Sequence, residues 1–128
     1  MTTSAISGIA IDAHDPRLVA GFWVEALRWE VLEDSDEIVS IGPADGQGPG
    51  IDVIAVPEAK TVKNRLHLDL RPDGGTQADE VDRLLALGAT VADVGQGPDV
   101  TWVVLADPEG NEFCVLQRSV QEVAAAER

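Results

Sequence analysis

The sequence predicts an α+β protein made of two βαβββ modules, and three observations carry that expectation. The first is internal likeness. Residues 16–31 read PRLVAGFWVEALRWEV, an amphipathic helix running into a strand, and residues 77–91 read QADEVDRLLALGATV, the same pattern again. The second is order: a strand-like segment precedes each helix, at 6–11 and 64–70, and further strand-like segments follow each. The third is the period. A repeat of about 60 residues is longer than a solenoid unit and suggests two copies of one small module. A strand-helix-strand connection returns its second strand parallel to the first. Each helix covers one face of a four-stranded sheet, so the expected architecture is a curved mixed sheet with helices outside and a concave cavity for a ligand. The expected boundaries are 1–62, 63–118 and a tail, 119–128.

Each element has a local cause. Residues 6–11 place Ile9 and Ile11 on one face. Asp15-Pro16 supplies a helix cap and a first-turn proline. Leu18, Val19, Phe22, Trp23, Ala26 and Leu27 recur at three- and four-residue spacing and predict a buried helical face. Residues 29–32 and 37–41 read as strands around an acidic turn, and 51–56 as a fourth strand ended by Pro57. Residues 42–50 are a loop by composition, holding neither a P-loop nor a dinucleotide fingerprint; a lid or hairpin is expected. The link 58–63 carries both lysines. Leu66, Leu68 and Leu70 alternate with Arg65, His67 and Asp69, the period of a strand. Thr76 and Asp79 have capping-box spacing. Val81, Leu84, Leu85 and Leu87 supply a second buried stripe, and Gly88 suits a helix end. Residues 90–94, 100–106 and 112–117 complete the second set of strands. The tail has the thin apolar content of a short helix that frays.

Composition excludes several classes. The 128 residues suffice for one core. No apolar run approaches the roughly 18 residues a membrane span needs, and the first residues lack a secretory pattern, so a cytoplasmic protein is expected. One cysteine, Cys114, excludes an intrachain disulfide, and two histidines exclude a His-rich metal cage. Nine basic against 23 acidic residues give a net charge of -14. Nucleic acid and anionic membrane surfaces are poor partners for such a chain. The acidity serves solubility, and would also attract a cationic small molecule.

Two motifs carry a resemblance. The stretch DPEGNEFCVL, 107–116, resembles the turn and strand that close the second module in the vicinal oxygen chelate superfamily. That group includes glyoxalase I, the bleomycin and fosfomycin resistance proteins and the extradiol dioxygenases. The stretch KNRLHLDL, 63–70, and Phe22-Trp23 with Leu27 are similar to the same superfamily, most of all to small bacterial glyoxalase-like proteins. The resemblance spans residues 5–118. It implies the paired fold and a small-molecule ligand, while the superfamily hosts several chemistries on one scaffold; a homodimer is expected because it would cover sheet edges and the apolar surface around a shared cleft. It also implies a divalent metal held by the first and last strands of each module. Position by position, His67 matches. Cys114 stands where a glutamate is expected, Gly8 stands where a side-chain donor is expected, and Asp52 offers a carboxylate opposite Cys114. A set of His67, Asp52 and Cys114 is not the hard octahedral set of glyoxalase chemistry, and the departures weigh against a metal.

The remaining candidates keep two readings each. His67 either lines a pocket as a hydrogen-bonded imidazole able to act as acid or base, or ligates an ion. Cys114 is either a buried inert thiol or, beside His67, a nucleophile. Asp69 and Glu112 share faces with His67 and Cys114, and Trp102 is expected to wall the cavity. His14 reads as surface structure. The leading expectation is a glyoxalase-like protein binding a small organic molecule in the cleft, with turnover open. The rivals are a metal-dependent lyase or isomerase and an antibiotic-sequestering protein like the bleomycin-binding members.

Overall fold

A computed structural model describes residues 1–127, which cluster into two compact units, Met1–Lys60 and the residues from Thr61 onward. The first unit contains β1 (Gly8–Ala13), α1 (Pro16–Leu27), β2 (Glu30–Asp34), β3 (Ile38–Gly42) and β4 (Gly50–Ala55). The second contains β5 (Leu68–Leu70), α2 (Gln77–Leu87), β6 (Thr90–Val91), β7 (Val103–Ala106) and β8 (Glu112–Val115), followed by α3 (Val120–Ala126). Each unit is thus βαβββ, and the class is α+β. The sheets run β1-β4-β3-β2 and β5-β8-β7-β6. In each, the first and last strands pair in parallel and the remaining pairs are antiparallel. The strand after each helix is therefore parallel to the strand before it, but lies at the opposite edge with two strands between. Among the described residues, no helix is long and apolar enough to cross a membrane.

Local chemistry accounts for the helices. Asp15 accepts from the Leu18 amide at 3.2 Å, with Pro16 opening α1. Thr76 and Asp79 form a reciprocal capping box on α2, as the spacing predicts. Both helices end on a left-handed residue: Gly88 (φ 119°) after α2, but Arg28 (φ 53°) after α1. That conformation suits glycine and crowds the Cβ of any other residue. The tail forms α3, capped by Ser119 with Glu122 and held by the Val120 amide on the Pro72 carbonyl at 2.8 Å.

In the first unit, α1 packs on β3 and β4. Val19, Phe22 and Trp23 are buried, as are Val39, Ile41, Ile51 and Val53 of the sheet. The Phe22 and Trp23 rings meet edge to face at 5.1 Å. Leu18 departs from expectation: it is 50% exposed, and Ala20 takes a buried place on the helix. In the second unit, Leu84 of α2 is buried together with Leu105, Phe113 and Val115, while Val81, Leu85 and Leu87 are half-buried. The loop 43–49 joins the antiparallel strands β3 and β4. Gly50 ends it because a Cβ there would sit 2.6 Å from the Ile41 carbonyl oxygen.

The largest departure is β5. Alternation predicts a strand over 64–70, yet only Leu68–Leu70 is extended in the sheet and Leu66 is 90% exposed. The cause lies in the partner strand. β8 starts at Glu112, directly after a tight turn, and pairs only Phe113, Cys114 and Val115 with Leu68, Asp69 and Leu70. By that register residues 64–66 would fall opposite the turn and not the strand, so apolar alternation alone does not extend β5 across them. The ends of 90–94, 100–106 and 112–117 are likewise trimmed to β6, β7 and β8.

Candidate functional site

The site is built on the side of β8 turned away from Phe113 and Val115. Side chains alternate along a strand, so Glu112, Cys114 and Leu116 share one face, joined by Val104 and Trp102 from the β7 side. Together with Lys63, His67, Asp69, Val94 and Gln96 they line a cavity of about 340 Å³ within the second unit.

The turn before β8 fixes the start of that face. Asp107 is buried, and its carboxylate accepts from the Glu109 amide (2.9 Å), the Asn111 amide (3.0 Å) and the Asn111 side-chain amide (2.9 Å). Gly110 has φ 89°. The DPEGN motif is therefore a self-satisfied structural turn that sets where Glu112 and Cys114 emerge. Asn111 in turn accepts from Asn64 Nδ2 at 3.1 Å, and Glu112 accepts from the Asn64 amide at 3.1 Å. These two bonds hold the segment before β5, and with it Lys63 and His67, at the cavity.

At the centre, His67 Nδ1 lies 3.2 Å from Asp69 Oδ1. Both side chains are about half exposed, so water screens the pair and its contribution to stability is small. Its value is directional. A carboxylate on Nδ1 orients the ring and leaves Nε2 for other partners. Asp69 is also the backbone partner of Cys114 in the sheet. Burial first, then the negative charge of Asp69 and a hydrogen bond to it, push the Cys114 thiol pKa up, with Lys63 opposing weakly. A raised pKa keeps the sulfur protonated, which disfavours the nucleophilic reading in the absence of a metal.

Of the residues singled out by sequence, the second unit brings together His67, Asp69, Trp102, Glu112 and Cys114. Asp52 belongs to the first unit, exposed on β4, where it accepts from Ser40 Oγ at 2.6 Å. Gly8 opens β1, and His14 is exposed just after that strand. Sequence reading missed Lys63, Asn64, Val94, Gln96, Val104 and Leu116. Leu116 and Val104 follow from the register once Cys114 is placed. Gln96 is positioned by its own loop, accepting from the Val94 amide at 2.9 Å, a bond no spacing rule announces.

The donors present can be set against the divalent ion the resemblance implies. One imidazole, one carboxylate and one thiol offer atoms that all lie within 4.8 Å of one another: His67, Asp69 and Cys114. The set is a poor match for a hard octahedral ion and a fair one for a tetrahedral ion that accepts sulfur. Such an ion, when bound, supplies polarisation of a substrate oxygen.

Paired βαβββ units of this form define the vicinal oxygen chelate superfamily. Within it, the chain belongs to the glyoxalase-like domain family, whose model matches residues 8–116. Solved structures agree on the fold. The chain is similar to a glyoxalase/bleomycin resistance protein/dioxygenase family enzyme from Burkholderia phytofirmans, at 20% identity and TM-score 0.65, covering 85% of this chain and 94% of that one. It is similar to the fosfomycin resistance protein FosX from Listeria monocytogenes, solved with Mn(II) and sulfate, at 15% identity and TM-score 0.71, covering 99% and 100%. A glyoxalase-related enzyme from Fulvimarina pelagi gives 17% identity and TM-score 0.64, covering 88% and 87%. Among curated proteins, none matches the chain in sequence.

Proposed function

We propose that this chain is a small-molecule-binding protein whose second unit takes an organic ligand with an apolar body and a cationic or hydrogen-bond-donating group. The observation that carries this reading is the make-up of the cavity. Its walls are Val94, Val104, Leu116 and the face of Trp102, and its polar groups are the His67–Asp69 pair, Glu112, Gln96 and Lys63. A few polar groups set in an apolar pocket of this size are what a specific small-ligand site requires. Two carboxylates against one lysine favour a donor or cation, and an indole adds to that preference. With Nδ1 held by Asp69, His67 Nε2 can accept a proton from a bound acidic C–H or O–H, so turnover by general base catalysis is within its chemistry.

Ligand-observed NMR with small aromatic amines and their neutral alcohol counterparts tests the reading. The amines bind the wild type, and His67→Ala and Trp102→Ala each weaken that binding several-fold; binding that is equal in all three proteins, or absent for every probe, rejects it. A second reading, a metal-dependent lyase or isomerase, draws support from the His67, Asp69 and Cys114 donors. Sequestration of an antibiotic, as the bleomycin resistance resemblance implies, would use the same cavity without chemical change to the drug.

Homodimerisation belongs to the same proposal. Its support is β2, an edge strand of the first sheet, which exposes Val31 (52%) and Leu32 (62%). Unpaired apolar edges invite coverage. Light scattering after gel filtration reads the mass, and Leu32→Lys is expected to shift a dimer toward monomer. A cytoplasmic setting suits a chain whose one thiol is free and buried.

A further inference from the structure

The strongest unabsorbed feature is the arrangement of Asp69 between two potential ligands. Its carboxylate sits 3.2 Å from His67 Nδ1 and lies within 4.8 Å of the Cys114 sulfur. Three chemically different donors therefore converge on one wall of the cavity. Donors bonded to one ion at about 2.0–2.1 Å in tetrahedral geometry stand about 3.3 Å apart. The imidazole–carboxylate separation already matches that edge, and the whole trio lies within 4.8 Å. The sulfur would join the same ion through a Zn–S bond of about 2.3 Å.

We propose that His67, Asp69 and Cys114 form a site for a thiophilic, tetrahedral divalent ion of the zinc type, complete within the second unit and with its fourth position open to the cavity. This deepens the metal-dependent reading above and rests on it, but differs from what the family resemblance implies in two respects. Asp69, two residues beyond the expected histidine, supplies the third donor, so Asp52 of the first unit is not required. The thiolate turns selectivity from magnesium and manganese toward zinc, because soft sulfur favours borderline-soft ions. The ion displaces the shared proton between His67 and Asp69 and the thiol proton of Cys114, both released to solvent. Three protein donors with one open position are the composition of a catalytic rather than a structural zinc site. Trp102, Val104 and Glu112 line the same cavity.

The test is a cobalt(II) titration of full-length protein stripped with chelator, under a thiol-free reductant. Cobalt reports both geometry and sulfur ligation. The expected result is saturation at one equivalent, intense visible bands of tetrahedral cobalt, a near-ultraviolet sulfur-to-cobalt charge-transfer band, and displacement by zinc but not by magnesium or manganese. Cys114→Ser loses the charge-transfer band. His67→Ala and Asp69→Asn each weaken binding by more than the roughly 10- to 100-fold that a merely supporting partner costs. Asp52→Asn leaves stoichiometry and affinity unchanged. Circular dichroism establishes that each variant is folded, and the conservative Asp69→Glu restores part of the affinity.

Absence of a saturating spectrum, an octahedral spectrum without a sulfur band, an unchanged spectrum in Cys114→Ser, or loss of binding in Asp52→Asn would each overturn the proposal. No organic ligand enters this titration, so its failure is separable from failure of the aromatic amines to bind.

Discussion

The two units are the same frame carrying opposite chemistry. Register makes the comparison exact to the residue. In the first unit, Gly8, Ala10, Gly50 and Asp52 occupy β1 and β4, with Gly8 opposite Gly50 and Ala10 opposite Asp52. In the second, Asp69 stands opposite Cys114, and His67 and Glu112, each two residues earlier in the chain, complete the matching set. Three of the first unit's four positions carry no functional group, and the fourth, Asp52, is engaged by Ser40. In the second unit all four carry one. Repetition of a fold therefore does not repeat a site: the backbone ladder needs only β-compatible residues, while the chemistry needs particular side chains at these positions.

That contrast can be broken or sharpened in several ways. The largest expected effect falls on the first unit, whose core depends on packing. Trp23 is 1% exposed, and Trp23→Ala is expected to cost about 3–5 kcal/mol in urea denaturation, as large-to-small core changes do. In the second unit the comparable linchpin is polar. Asp107→Ala removes the acceptor of three hydrogen bonds and should cost about 3 kcal/mol, within the range for buried bonds to a charged group. It should also displace Glu112 and Cys114, read as a faster alkylation of the thiol.

The helix ends give a smaller and opposite pair of effects. Arg28→Gly relieves a non-glycine residue at φ 53° and is expected to stabilise by about 1 kcal/mol, whereas Gly88→Ala at φ 119° destabilises by about as much. Thermal melts of both variants check the signs; equal signs would contradict the comparison.

The pH dependence of Cys114 gives the finest test. Its pKa is raised, by burial first and Asp69 second. In the metal-free protein, iodoacetamide labelling should stay slow through the pH range where an ordinary thiol reacts, and accelerate only at higher pH. Because the thiol titrates higher in the folded chain than in the unfolded one, its share of stability is present below the unfolded pKa and is lost as pH rises through the folded pKa. Asp69→Asn removes a negative charge that opposes the thiolate, lowers the pKa and speeds labelling at a fixed alkaline pH. Labelling that slows in that variant would reverse the assigned cause.

Much of this was legible in the sequence, for reasons that differ by region. Helix caps at Asp15 and Thr76 are local chemistry, written in adjacent residues, and α1 and α2 form where spacing predicts. The βαβββ order follows from periodicity and is confirmed by both sheets. The extent of β5 was not legible, because strand length is granted by the partner and β8 begins only after the DPEGN turn. Leu18 shows the same limit at a helix, where three- and four-residue spacing marks a stripe but not its edges. Within the site, one face of β8 could be drawn from alternation. The hydrogen bonds of Asn64 to Asn111 and Glu112 join residues 47 and 48 positions apart, and sequence alone does not announce such pairs. The closeness of Asp69 to Cys114 likewise needed the parallel register.

The chain holds one histidine in each unit, His14 and His67, which allows the central contrast to be read in one experiment. Histidine-ring NMR during titration of the metal-free protein with zinc follows both imidazoles at once. The account predicts that the His67 resonances move and saturate at one equivalent while those of His14 stay in place. Movement of His14 with a silent His67, or no movement of either ring, would contradict it.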